Sequence, residues 1–258
     1  MLLAVDIGNT NTVCGIFEKG ALKRHFRFRT EIDVTADELA LLLDGFLSLE
    51  GLRRDLITSI AVASVVPPLL KVWQEMARNY FSGPFLIARA IDLGLDILLD
   101  NPQEVGVDRV LNALAAWKKY RSPLIIVDYG TATTFDCVSE RGEYLGGAIA
   151  PGLTLAAEGL FQKTSMLPRI ELLSPPKMAI GKDTFSAMKS GLLFGFAALT
   201  DGLVARLSAE FPEKPRVIAT GGLAPLMEKV CLTIERVEPF LTLEGLYHFY
   251  QQKRGKKA

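Results

Sequence analysis

Leu3-Ala4-Val5-Asp6-Ile7-Gly8-Asn9-Thr10-Asn11-Thr12 is a short apolar run that delivers an aspartate into a turn of small residues. Val13 to Glu18 then reads as a returning strand, so the whole is a hairpin with a carboxylate near its tip. A Gly-Asn-Thr bend exposes backbone N–H groups and hydroxyls, a surface suited to phosphate oxygens. Asn and Gly are also ordinary turn residues, and the stretch alone does not separate a phosphate site from a plain hairpin.

A second copy separates them. Leu124-Ile125-Ile126-Val127-Asp128-Tyr129-Gly130-Thr131-Ala132-Thr133-Thr134 repeats the layout, and Val5, Asp6, Gly8, Thr12, Glu18 and Gly20 coincide with Val127, Asp128, Gly130, Thr134, Glu140 and Gly142 at a constant offset of 122. Self-similarity at fixed spacing indicates an internal duplication. Two acid-tipped hairpins facing each other across a cleft resemble the actin-like ATPase superfamily, which includes hexokinases and acetate kinase. That resemblance implies a duplicated, ribonuclease H-like α/β fold of two lobes, 1–122 and 123–258, each a mixed five-stranded sheet flanked by helices.

The bulk properties exclude other classes. Lys plus Arg and Asp plus Glu are each 29, so net charge points to neither a nucleic-acid nor a membrane partner. The three cysteines, Cys14, Cys137 and Cys231, lie in apolar strand-like runs without a C-x-x-C pair, which predicts buried, reduced thiols in a cytoplasmic protein. No secretory signal is expected, because Asp6 interrupts the first apolar run and no basic segment precedes it. No transmembrane span is expected either, the best candidate from Gly191 to Leu207 being too short between charges. His25 and His248 are too far apart in the chain to suggest a histidine metal site, and Trp73 and Trp117 fall at helical core spacing.

Along the chain, Ala21 to Arg29 alternates as a third antiparallel strand, and Thr35-Ala36-Asp37-Glu38 is a capping box opening a helix. Ile57 to Val66 predicts a strand covered on both faces, stopped by Pro67-Pro68, which starts another helix. Pro84 to Ala88 is a short strand, and a helix begins at Asp108. Strands follow from Leu124, Thr133 and Glu143, then a small-residue segment from Gly146 to Gly152 that permits close backbone approach. Thr184 to Phe211 predicts a long helix, apolar all round, which belongs in a core or at a subunit contact. Arg216 to Thr220 is the last strand, ending at Gly221-Gly222, which is either a place for a nucleotide's adenosine against the backbone or a simple strand-to-helix turn, and Leu243 to Gln251 is a final helix.

Phosphoryl transfer to an alcohol needs a phosphate cradle, a divalent metal, a base for the hydroxyl proton and positive charge for the transferring group. Asp6 suits magnesium held through water, and Gly8, Asn9 and Thr10 suit the phosphates. Neither a Walker nor a Rossmann glycine motif is present. Asp108 in Gly106-Val107-Asp108-Arg109 is the preferred base, with Arg109 as an anion clamp at a helix start; the alternative is an aspartate that merely caps the helix.

Several separated motifs in order then resemble one family. Asp6-Ile7-Gly8-Asn9-Thr10, Ser64-Val65-Val66-Pro67, Asn101-Pro102 with Glu104-Val105-Gly106-Val107-Asp108-Arg109, Asp128-Tyr129-Gly130-Thr131-Ala132-Thr133 and Gly181-Lys182-Asp183-Thr184 are similar to the type III pantothenate kinases, nearly end to end. The resemblance implies a cytoplasmic, homodimeric enzyme that phosphorylates pantothenate with ATP to 4′-phosphopantothenate, opening coenzyme A biosynthesis, and that needs a monovalent cation (K+ or NH4+) beside Mg2+. It places ATP on Asp6, Ile7, Gly8, Asn9, Thr10, Asn11, Thr12, Val13 and Thr131, and pantothenate on Leu99, Gly106, Val107, Asp108, Arg109 and Thr184. Asp108 is then the proton acceptor and Asp128 the potassium ligand. Leu99 stands where the family often has tyrosine, which removes a hydroxyl donor, and Val107 stands where alanine is usual. Two alternatives remain open within the fold, a non-catalytic nucleotide-binding regulator and a kinase for another small molecule.

Overall fold

The structure, a computed structural model, describes residues 1–255. In chain order the elements are β1 (Leu2–Ile7), β2 (Asn11–Glu18), β3 (Ala21–Arg29), α1 (Ala36–Leu49), β4 (Ser59–Ser64), α2 (Pro67–Tyr80), β5 (Phe85–Ile87), α3 (Val107–Tyr120), β6 (Leu124–Tyr129), β7 (Ala132–Val138), β8 (Tyr144–Pro151), α4 (Leu153–Lys163), α5 (Thr184–Ser208), β9 (Arg216–Thr220), α6 (Ala224–Met227), β10 (Arg236–Val237) and α7 (Leu241–Gly255). They form two compact units. The first joins Met1–Leu95 and Asn101–Ala115 with the chain from Leu241 onward; the second joins Asp96–Asp100 with Ala116–Phe240. The sequence boundary after residue 122 marks the start of the second copy, whereas the compact units interleave. The physical reason is α7, which follows the second copy in sequence yet packs against β1, β2 and β4.

In the first unit the sheet runs β3-β2-β1-β4-β5, antiparallel across β1, β2 and β3 and parallel from β1 through β4 to β5. One face carries Leu3, Val5, Ile7, Cys14 and Ile16 against α1 and α2, where Trp73 is 1% exposed. Burying that indole contributes several kcal/mol, since truncating a buried tryptophan costs about 3–5 kcal/mol. The capping box is as read: the Thr35 hydroxyl accepts from the Glu38 N–H and the Glu38 carboxylate accepts from the Thr35 N–H. The opposite face carries α7, whose Leu243 lies where a side chain on Gly15 would point, and Tyr247 stacks on Phe17 at 4.9 Å between ring centroids.

In the second unit the order β10-β9-β6-β7-β8 repeats the plan, again antiparallel over the first three strands of the copy and parallel beyond. The copies slip at the bend. Ile7 pairs with Thr12, but Tyr129 pairs with Thr133, so the second bend is one residue shorter. The counterpart of Thr12 is therefore Thr133, both of them buried, and Thr134 occupies the position of Val13. The segment expected to follow the third strand of this copy is instead the body of β8. A side chain on Gly147 would meet the Phe135 carbonyl oxygen at 1.7 Å, so its glycine serves the approach of β7 to β8.

Helix α5 is apolar over its length but buried on one side only. At 25 residues with a mean hydropathy of 1.3 over its most apolar window, it is long and apolar enough to cross a membrane by length and composition, and 33% of that window is buried. Its Leu192, Leu193, Ala197 and Val204 join the core around Val127 and Phe135. It is a core helix on one side and uncovered on the rest. All three cysteines are buried and free, and burial raises the Cys14 thiol well above its ordinary range.

Gly147 and Gly45 make a paired test of backbone against space. Gly147 has φ of +155° and no room for a side chain, whereas Gly45 lies in α1 with nothing within 4 Å of an added Cβ. Denaturant titration should show Gly147→Ala losing at least about 3 kcal/mol and Gly45→Ala gaining about 0.5–1 kcal/mol. Equal effects at the two positions would contradict these packing assignments.

Candidate active site

In the first unit, β1 puts Val5 and Ile7 into the core and Asp6 on the other face, beside Val13 of β2 and Ala63 of β4. The bend beyond it is closed by the Gly8 N–H donating to the Asn11 carbonyl at 3.1 Å. That donor is spent inside the turn, so the cradle read from the sequence keeps Asn9 and Thr10, both exposed, as its outward members. Thr30, just past β3, braces the loop from beneath. Its hydroxyl donates to the Gly8 carbonyl at 2.7 Å and lies 3.0 Å from the Thr12 hydroxyl, while its N–H donates to the Thr10 carbonyl at 3.0 Å. Ile7 and Thr12, at 0% and 1% exposure, turn their side chains into the core, so neither offers one to a ligand. Nothing in the sequence marks Thr30, because its partners are 22 and 18 residues away.

Next to this bend, the Val65 N–H donates to the Ile7 carbonyl, and the Ser64 hydroxyl accepts from the Val66 N–H at 2.9 Å. This fixes the Ser64-Val65-Val66 loop alongside the tip of β1 and lets Pro67 open α2.

Asp108 lies in the first turn of α3, two residues past the cap position at Gly106, since the helix starts at Val107. Its Oδ1 accepts from the Arg109 N–H at 2.9 Å, and a side chain on Gly106 would strike that same oxygen at 2.5 Å. Burial raises the Asp108 pKa, while the Arg109 N–H and the Arg109 charge oppose the rise without cancelling it. A carboxylate made more basic in this way, at the positive end of a helix, is suited to accepting a proton. Upstream, the Asn101 amide donates to Glu104 at 2.7 Å and shapes the turn that leads to Gly106.

In the second unit, Asp128 ends β6 as Asp6 ends β1, and the Gly130 N–H closes the shorter bend on the Ala132 carbonyl. Thr131 is exposed on it. Gly221, at φ of +89°, backs this tip: an added Cβ would lie 2.4 Å from Asp128 Oδ1 and 2.7 Å from the Tyr129 carbonyl oxygen. The glycine lets the backbone pack closely against these two oxygens, with no room for a side chain. Oxygen donors of this kind suit a monovalent cation. Leu99 packs against β8, with Cδ2 3.1 Å from the position of a Cβ on Gly146. Thr184 is exposed at the start of α5, which Asp183 caps by accepting from the Ser186 N–H at 2.9 Å.

Among the described residues no group of three or more His, Cys, Asp or Glu side chains could hold a metal. A lone carboxylate at Asp6 fits magnesium, which keeps several waters and takes substrate phosphates as ligands.

The family model for type III pantothenate kinase matches residues 2–206. A type III pantothenate kinase of Desulfatibacillum aliphaticivorans is 50% identical over 247 residues, covering 95% of this chain and 96% of the relative. One of Geobacter sulfurreducens is 47% identical over 255 residues, covering 98% and 100%. Among solved structures, a Campylobacter jejuni protein described as a Baf family transcriptional activator superposes with a TM-score of 0.62 at 17% identity, over 98% of this chain and 99% of that one. A ROK family glucokinase from Streptomyces griseus, in complex with glucose and AMPPNP, gives 0.53 at 13% identity, over 98% and 99%. At such identities the structures show a shared fold, the duplicated actin-like α/β architecture expected from the two hairpins. The sequence match, which runs the length of the chain at about half identity, shows that this protein belongs to the type III pantothenate kinase family.

Proposed function

We propose that this kinase transfers the γ-phosphoryl group of ATP to the 4′-hydroxyl of pantothenate, with Asp108 as the proton acceptor. The observation that carries the assignment is a partly buried, abnormally basic carboxylate at a helix start, inside the family's Gly106-Val107-Asp108-Arg109 motif. The bond from the hydroxyl oxygen to the γ-phosphorus forms as the bond to the bridging oxygen breaks. The hydroxyl proton passes to Asp108, and ADP leaves with the electron pair. Asn9 and Thr10 donate to the phosphates from the braced bend, and Arg109 steers the pantothenate carboxylate. Magnesium, bound through water at Asp6, would neutralise charge on the β- and γ-oxygens. Asp128 would hold potassium or ammonium. Leu99 would give pantothenate an apolar wall, and Thr184 would reach it from α5.

The same reading makes the protein a homodimer. Gly191, Gly195, Ala198, Gly202 and Ala205 form an exposed small-residue stripe along α5, and an added Cβ on any of its glycines meets nothing within 4 Å. A second copy of the helix would fit closely there. The cytoplasm is the compartment in which ATP, magnesium and reduced thiols coexist.

Three outcomes test this reading. Asp108→Asn should lower kcat at least about a thousandfold, the upper part of the range for a general base, in an assay of ADP release dependent on pantothenate; turnover near the wild-type rate would remove Asp108 from its role. The same variant should be more stable than wild type at pH 7. A carboxyl whose folded pKa is raised binds more protons folded than unfolded, so stability falls as pH rises through the unfolded and then the folded value. The gain from Asn should therefore vanish below about pH 4, the ordinary aspartate range. Gly195→Leu should convert a sedimenting dimer into a monomer, and a persisting dimer would exclude α5 as the contact.

A further inference from the structure

Strand β3 sits at the edge of the first sheet, and its side chains divide by face. Phe26 and Phe28 join the core beneath α1. His25, Arg27 and Arg29 alternate with them and stand on the other face, in register with Gly15, Val13 and Asn11 of β2. Val13 is in turn in register with Asp6, so Asp6, Val13 and Arg27 form one row across three strands. Two strand spacings, about 9.5 Å, separate the backbones at Asp6 and Arg27. That is the scale of a phosphate chain and a guanidinium laid side by side. Helix α7 does not close this end of the face, because its Leu243 lies over Gly15, one row back, and Arg27 and Arg29 are exposed. Neither arginine side chain has a hydrogen-bond or ion-pair partner among the described residues.

Charge on an edge strand often serves only to prevent edge-to-edge pairing. The duplication provides an internal control against that explanation. In the second copy the equivalent row is Asp128, Thr134 and Ile149, with Gly147 the next position on that face. The edge strand β8 thus manages with no cation there, and Ile149 is exposed. The fold keeps the carboxylate in both copies but puts an arginine beside it in only one, the copy whose bend is assigned to the triphosphate.

We infer that Arg27 is a phosphate-binding residue for the terminal phosphate of the nucleotide seated on the bend at Asn9 and Thr10, taking up charge there as the bridging bond breaks. The inference rests on the proposed seat of the triphosphate. A guanidinium fits it, since two parallel N–H groups match two phosphate oxygens.

Equilibrium titration of the purified protein with ATP and with AMP, each with magnesium, tests this without pantothenate. Arg27→Gln should weaken ATP binding by about tenfold or more, equivalent to about 1.4 kcal/mol, and leave AMP within about twofold. Arg27→Lys should fall between wild type and Gln. Lys23→Gln, on the same strand at its bulge, should match wild type. Arg27→Met serves if the Gln variant melts early. Unchanged ATP binding in both Arg27 variants, or an equal loss in Lys23→Gln, would overturn the assignment. A wild type that binds ATP with this Arg27 dependence but leaves pantothenate unphosphorylated would instead remove the substrate while leaving Arg27 in place.

Discussion

A carboxylate carried into a sheet interior needs either hydrogen-bond partners or an open end, because an unpaired buried charge costs several kcal/mol. Strand β1 is buried from Leu2 to Val5 and again at Ile7, with paired strands on both sides, and Asp6 is its one charged residue. Its row is half-open, because Leu243 of α7 lies over the row of Gly15. The neighbouring features follow from that opening. The Gly8 turn, the Thr30 brace and the Ser64 loop fix the bend that carries Asn9 and Thr10 next to it. Donors fixed before the ligand arrives need no reorganisation when phosphate charge shifts, which is where electrostatic catalysis gains most.

The second copy keeps the same carboxylate and changes its surroundings. Its bend is shorter by one residue, its edge strand carries Ile149 in place of an arginine, and Gly221 packs closely against Asp128. The two copies thus share a strand-end carboxylate and differ in what stands around it.

Local chemistry was legible in the sequence. The Thr35 capping box, Pro67 at the start of α2, the bounds of β3 and β9, and the core places of Trp73 and the cysteines all follow from residues within a few positions of one another. The duplication revealed the fold because it repeats chemistry as well as pattern. Features set by distant partners were not legible. Thr12 and Thr134 align by offset, yet one turns into the core and the other stands where Val13 does, because a single residue missing from a bend inverts the face of every position after it. Thr30 acts through Gly8 and Thr12, Gly221 through Asp128, and Gly147 through Phe135, contacts that exist only once strands pair. The return of α7 to the first sheet likewise has no local signature.

The most direct measurement is a crystal structure of the protein with a non-hydrolysable ATP analogue, magnesium and pantothenate. The phosphates should rest on Asn9 and Thr10, with the pantothenate 4′-hydroxyl about 2.6–3.2 Å from a carboxylate oxygen of Asp108. Phosphates seated on the Gly130 and Thr131 bend alone, or a 4′-hydroxyl bonded to some other group with Asp108 turned away, would contradict the assignment of the first copy as the phosphate seat and of Asp108 as the base.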